Sequence, residues 1–278
     1  MRLIAGCIGA LTAVVFAPFA LACSPQFPSE GLPGRVAEIE FSNRSGEGQH
    51  EYWAPKNARL IMQAAFVGIS DEYDHNILGG AKDAKGLTIH IHRPGSDKIS
   101  CPSEVILPAD EVFEDIAPRL ADVTGDGLPE VIVVHTDIRL GARITIYNRR
   151  AKRIAETPYI GQTHRWLAPV GAADLDGDGQ IEIAYIDRPH LAKTLRIWRF
   201  VDGGLTHVAD QPGLTNHKIG WDHIPGGIRT CQGKAEIITA SADWSRIMAT
   251  TLENGSIQTM DIGAYTGVDS LNAVLTCP

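Results

Sequence analysis

The residues with the plainest chemistry are the carboxylates of Asp174-Leu175-Asp176-Gly177-Asp178-Gly179-Gln180-Ile181-Glu182. Four acids this close repel one another unless a cation sits among them. Gly177 and Gly179 permit positive φ, so the backbone can curl and aim Asp174, Asp176 and Asp178 at one point. Hard oxygen donors in an acidic, glycine-bearing loop suit Ca²⁺, with a backbone carbonyl at Gln180 and the carboxylate of Glu182 completing the shell. A weaker copy stands earlier, at Asp122-Val123-Thr124-Gly125-Asp126-Gly127-Leu128-Pro129-Glu130.

Each loop runs into an apolar strand, Val131 to Val134 in one case and Ile183 to Ile186 in the other. Asp122 aligns with Asp174 and Glu130 with Glu182 at an offset of 52 residues. The following strands align too, Ile144 to Tyr147 with Leu195 to Trp198, and a turn comes after each. A third copy runs through Glu236 to Thr239, Arg246 to Thr251 and Ser256 to Met260, with the basic Arg229 to Lys234 in place of the acidic loop. A fourth runs through Ile61 to Val67 and Leu87 to His92. The units therefore fall at roughly 57–117, 118–169, 170–222 and 223–265. Val36 to Phe41 alternates as a strand does, and the two ends could share a fifth unit. Short strands repeated at this interval predict an all-β fold: a single β-propeller domain over 23–278, of about five (or four) four-stranded blades. A β-solenoid is the second reading, disfavoured by the length of the repeat.

The two acidic runs, each followed by an apolar strand, resemble the FG-GAP or VCBS-type repeat, the calcium-loop propeller blade. The resemblance implies Ca²⁺ in the connecting loops and a role as an interaction surface or scaffold in exported proteins; it implies no single reaction. Carried over position by position, Asp174, Asp176, Asp178 and Glu182 give side-chain oxygens and Gln180 a carbonyl. Asp122, Asp126 and Glu130 do the same in the other loop, with Leu128 giving its carbonyl. Thr124 departs from the usual acid, and the lost charge predicts weaker binding.

A formal net charge of -8 and an aromatic share of 6% argue against nucleic acid and anionic membrane surfaces as partners. Residues 1–22 read as an export signal: Arg2, an apolar run from Leu3 to Phe16, then Ala20-Leu21-Ala22 as a cleavage site. This leaves no transmembrane segment after cleavage and predicts a periplasmic or secreted protein. A competing reading makes Cys23 the acylated residue of a lipoprotein. Cleavage leaves Cys23, Cys101, Cys231 and Cys277, which allow two disulfides in three connectivities. A Cys23–Cys277 bond would tie the two mature ends together.

His90 and His92 stand two apart on a predicted strand, so with His75 or Asp74 they could hold zinc or copper. Loops after the first strand of each unit should surface at one end of the propeller. They carry Asp137, Asp187, His190, Asp243 and Trp244, and with His75 these form a candidate binding face for a protein or carbohydrate. A catalytic reading would use Asp187 with His190, or His75, as acid and base. The chain has no Gly-x-Ser-x-Gly elbow, phosphate loop or His-Glu-x-x-His motif. The expectation is an exported, calcium-stabilised binding or scaffold module. The alternative is a hydrolase or lyase acting on carbohydrate or another extracellular polymer.

Overall fold

The computed structural model describes residues 35–42, 56–95 and 101–277. The predicted export signal, Cys23 and much of the stretch before Pro55 lie outside these residues. The described chain folds as antiparallel β-structure with one short helix. The first unit is β1 (Val36–Ser42), β2 (Arg59–Ser70), β3 (Asp83–His92) and β4 (Ser103–Ile106). The second is β5 (Glu111–Phe113), β6 (Arg119–Ala121), β7 (Glu130–Asp137), β8 (Gly141–Tyr147) and β9 (Arg153–Glu156). The third is β10 (Leu167–Ala173), β11 (Glu182–Asp187), β12 (Thr194–Val201) and β13 (Gly204–Pro212). The last is β14 (Leu214–Thr215), β15 (Gly227–Cys231), β16 (Lys234–Ser241), β17 (Arg246–Glu253) and β18 (Ser256–Ala264), followed by α1 (Val268–Ala273).

Every residue of β7 and of β11 is buried, although a sheet with one wet face would show alternation. The reason is that neighbouring units cover both faces. Val131 and Val133 pack into a core with Leu60, Met62, Phe66 and Ile89 of the first unit. Ile132 and Val134 point the other way, into a core with Leu167, Ile183 and Tyr185 of the third. The same division continues, with Ala184 and Ile186 meeting Ile237 and Leu252 of the last unit. Four strand groups are thus stacked face to face, and the first strands β1, β6, β10 and β15 touch in succession. Leu271 of α1 covers the far side of the last unit, against Ile238, Ala240 and Ile247.

The first strand is split in two units. β5 and β6 both pair with β7, leaving it between Glu114 and Pro118, and β14 and β15 both pair with β16, leaving it between Asn216 and Gly226. In the third unit the matching strand is continuous but slips register between Pro169 and Gly171.

Several sequence expectations change. The last unit begins at β14, before residue 223, because Leu214 and Thr215 pair with Ser241 and Ala240. The first and second units share one sheet through the pairing of Phe113 with Ala84. The stretch at Val36 is a strand, as its alternation predicts, but it pairs with β2 and belongs to the first unit. Among the described residues no sheet contains strands from both ends, so no shared fifth unit forms there. Cys277 bonds Cys231 and not Cys23, because α1 returns the C-terminus to β15; Cys101 is disulfide-bonded as well. The basic loop of the last unit is a tight hairpin turning at Gln232 and Gly233, both at positive φ. No helix among the described residues is long and apolar enough to cross a membrane.

Candidate functional site

Loops leave the stacked strands at two ends, and the two ends differ in chemistry. The links from first to second strand emerge at one end and carry the acidic runs. The links from second to third strand, with both interruptions of the first strand, emerge at the other.

At the acidic end, ligand atoms of Asp174, Asp176 and Glu182 lie within 4.8 Å of one another. Asp176, Asp178 and Glu182 converge on Arg199. Its Nη2 donates to Asp176 Oδ2 at 2.6 Å, its Nη1 meets Asp178 Oδ2 at 2.9 Å, and its Nε donates to Glu182 Oε1. In the other loop the Gly127 N–H donates to Asp122 Oδ2 at 2.8 Å and the Leu128 N–H to Asp126 Oδ1 at 2.8 Å. The Val123 and Thr124 N–H groups both donate to Glu130 Oε2, and the Thr124 hydroxyl donates to Oε1. Burial, together with the charges of Asp126 and Asp122, pushes Glu130 up to about 7.

The opposite end is rich in histidine and aromatic rings. Glu114, 1% exposed, is brought there by the break between β5 and β6. Its Oε1 lies 2.6 Å from His75 Nδ1, its Oε2 accepts the Thr136 hydroxyl at 2.8 Å, and its carbonyl accepts Trp166 Nε1–H at 2.8 Å. Burial raises the Glu114 carboxyl above its ordinary range. Asp83, at the foot of the same loop, is pushed up to about 8 by burial and then by the charge of Glu114. The His75 ring stacks on His164 at 5.2 Å, and His164 Nε2 lies 2.8 Å from Asp74 Oδ1. Two histidine–carboxylate pairs therefore stand side by side, next to a cleft of about 230 Å³ lined by Tyr73, Asp74, Asn76 and Asp83.

A row of rings continues from there. Trp166 lies parallel to His190 at 6.4 Å, and His190 Nε2 is 3.0 Å from His217 Nδ1. His217 reaches Trp221, Trp221 packs edge-on to Trp244 at 5.3 Å, and Trp244 reaches Tyr265 at 5.0 Å. The Lys218 ammonium rests 4.7 Å above the Trp244 ring. Asn216 anchors the insertion that carries His217 and Trp221 by donating to Pro169 O, a carbonyl freed at the register slip in β10. Asn76, His164, Arg188, Lys193 and Trp244 here are non-glycine residues at positive φ, as are five others in turns elsewhere among the described residues. Gly141 lets the turn that presents His164 lie close, since a Cβ there would sit 2.4 Å from Gln162 O.

Of the six residues expected on this face, His75, His190 and Trp244 join the ring system. Asp137, Asp187 and Asp243 hold turns and strands instead. Asp137 accepts the Arg139 and Leu140 N–H groups, and Asp243 ties Ser241 to Ser245. Both oxygens of Asp187 are taken by Arg188, with Arg196 also on Oδ2, so it is an ion-paired anchor and not an acid or base. The zinc or copper reading of His90 and His92 does not form. His75 lies at the Asp83 end of β3, about 20 Å along the strand from the two histidines, and it faces Glu114.

Comparison with known proteins supports the repeat. Residues 122–185 match the FG-GAP-like repeat. The FG-GAP-like match takes in both acidic runs and the strands β7 to β10 between them. No curated protein sequence matches the chain. Among solved structures, rhamnogalacturonan lyase YesW is 13% identical at a TM-score of 0.37, over 87% of this chain and 50% of its own. The Bacillus licheniformis rhamnogalacturonan lyase PL11 is 13% identical at 0.38, over 83% and 48%. Porphyromonas gingivalis dipeptidyl peptidase 4 is 8% identical at 0.39, over 83% and 33%. The chain spans half or less of the length of these proteins.

The ring system sets a pH dependence. Burial holds His190 and His217 down to about 4, so both are neutral in the folded protein near pH 7. The unfolded chain takes up those protons near 6.5, before the folded one does. Their contribution to stability is therefore complete above about pH 6.5 and is lost as pH falls toward 4. His217→Gln should flatten the fall of the unfolding midpoint between pH 6.5 and 4 relative to wild type. Identical slopes would show that other groups, such as the similarly depressed His135, carry the acid sensitivity.

Proposed function

We propose that the protein is an exported β-propeller binding module that takes its ligand on the face bearing the rings. The observation that carries this reading is the unbroken row from Trp166 through His190, His217 and Trp221 to Trp244 and Tyr265, drawn from successive units. Trp221, Trp244 and Tyr265 are partly exposed, with the Lys218 ammonium over all three rings and His223 stacked on Trp221. A row of flat, amphipathic rings with hydrogen-bonding edges suits the faces of sugar rings, which makes carbohydrate the ligand class favoured over protein. The face-to-face stack and the touching first strands support the propeller reading, and the Cys231–Cys277 disulfide supports an oxidising compartment.

Calcium in this reading is structural and belongs to the Asp122 loop. Asp122, Asp126 and Glu130 hold their backbone there, and Asn148 follows Tyr147 where the third unit has Arg199 after Trp198. Removing the ion should lower stability without altering the ring face.

A second reading, hydrolase or lyase, rests on His75 and Glu114. The buried carboxylate fixes one ring nitrogen, which leaves the other for proton exchange with a ligand, and His164 with Asp74 supplies a second such pair.

In affinity electrophoresis through gels holding neutral or uronate-bearing polysaccharide, the wild type should be retarded and Trp244→Ala should weaken retention roughly tenfold or more. Free migration in every gel would leave a protein partner as the ligand. Millimolar Ca²⁺ should raise the unfolding midpoint of the wild type but not of Asp126→Ala, and a rise retained in Asp126→Ala would remove calcium from that loop. If a retained polysaccharide is also cleaved, His75→Gln should reduce turnover by roughly 10²-fold or more at unchanged affinity. Unchanged turnover would eliminate the histidine pair as the acid–base site.

A further inference from the structure

We propose that Arg199 is the resident cation of the Asp174 loop, standing where calcium would sit, so that this repeat is a metal-independent variant. This inference is separate from the ligand reading of the opposite face.

All eight carboxylate oxygens of the loop's four acids have donors from this chain. Asp174 Oδ1 accepts the Gly177 N–H at 2.7 Å and its Oδ2 the Gly179 N–H at 2.9 Å. Asp176 Oδ1 accepts the Asp178 N–H at 3.3 Å, Asp178 Oδ1 the Gln180 N–H at 2.8 Å, and Glu182 Oε2 the Leu175 N–H at 2.8 Å. The remaining three, Asp176 Oδ2, Asp178 Oδ2 and Glu182 Oε1, all point at the guanidinium. Those three acids are the ones expected to join Asp174 around a metal. A calcium ion on them would have to expel Arg199 and leave its charge, with the side chain 17% exposed, without a counter-ion.

Strand pairing explains the placement. Glu182 on β11 and Arg199 on β12 are register partners, so their side chains share one face as cross-strand neighbours. A planar guanidinium with five donors can bridge three carboxylates at once, which a lysine ammonium on a flexible stem does less rigidly. Glu182 lies at the floor of the loop with no side-chain exposure, and Asp176 has 11%. The pairing is shielded from water, and its loss is costly.

Terbium luminescence and thermal unfolding can separate the two cations. Trp198, the neighbour of Arg199, serves as the sensitiser. Measurements are made in an Asp126→Ala background, which silences the other acidic loop. The parent should show the same midpoint in millimolar Ca²⁺ and in chelator, and no sensitised Tb³⁺ emission. Adding Arg199→Gln should lower the midpoint in chelator by roughly 5–10 °C. Millimolar Ca²⁺ should then recover most of that loss, and Tb³⁺ emission should appear. A calcium-dependent rise already present in the parent and removed by Asp176→Ala would overturn the proposal, since metal would then hold the loop with Arg199 in place. A loss in Arg199→Gln that Ca²⁺ does not recover, without Tb³⁺ emission, would overturn it too, because the loop would have no metal geometry for Arg199 to replace. Should Arg199→Gln fail to fold, the parent with and without Asp176→Ala decides the matter by the same two readings.

Discussion

Burial of both faces of the second strand in the inner units is the constraint on which the rest of the molecule depends. A strand such as β7 sends Val131 and Val133 to one neighbour and Ile132 and Val134 to the other, so it cannot be stable outside the stack. The same condition keeps the middle of β7 and β11 largely apolar, Val131 to Val134 and Ile183 to Ile186, and the densest polar groups stand toward the strand ends. This is why the acidic turns and the ring system lie at opposite ends, separated by roughly the length of β7, about 25 Å.

The two ends solve the problem of concentrated polar groups differently. At the acidic end of the third unit, negative charge is neutralised within the chain, by backbone N–H groups and one arginine. At the ring end, titratable groups are kept neutral or paired by burial. His190 and His217 are held down to about 4 and Asp83 is pushed up to about 8. Asp83 also lines the cleft beside Tyr73 and Asp74. The Asp174 loop instead has its donors and acceptors matched, as a structural element does.

The sequence carries the repeat well because apolar strands must recur wherever a unit does. Asp122 aligned with Asp174, Val131 with Ile183 and Tyr147 with Trp198, and each pair occupies equivalent places in its unit. The short alternating strand at Val36 was legible for the same reason, though its partner was not, since alternation fixes a face and not a neighbour. His75, His190 and Trp244 could be placed on one end by their position after the first strand read in each repeat, which is the second strand of the structural unit. Glu114 and His164 could not, because neither follows such a strand and nothing in Phe113-Glu114-Asp115 signals a break. Arg199 was equally hidden. Its role depends on strand register, which brings it opposite Glu182 across a turn, and a linear motif for calcium ligands does not extend that far. Cys231 and Cys277 paired through the fold of α1, a six-residue helix too short to show a period.

The breaks in the first strands give the ring end its particular composition. An uninterrupted first strand would run straight to its neighbour and contribute only backbone, as β10 nearly does. In the second unit, β5 and β6 reach His135 and Ile132 of β7, so five residues span what two would cover, and the excess carries Glu114 over to His75. In the last unit the longer excursion from Asn216 to Gly226 departs opposite Ala240 and returns opposite Ile238, and it delivers His217, Lys218 and Trp221. Both excursions leave and rejoin the same partner strand, so the sheets lose little pairing and the stack is undisturbed. The third unit lacks an excursion, and its slip at Pro169 is the place to which Asn216 fastens the neighbouring one. Where the first strand is interrupted, with the second strand fixed by burial, the unit can therefore place polar and aromatic side chains outside the sheet.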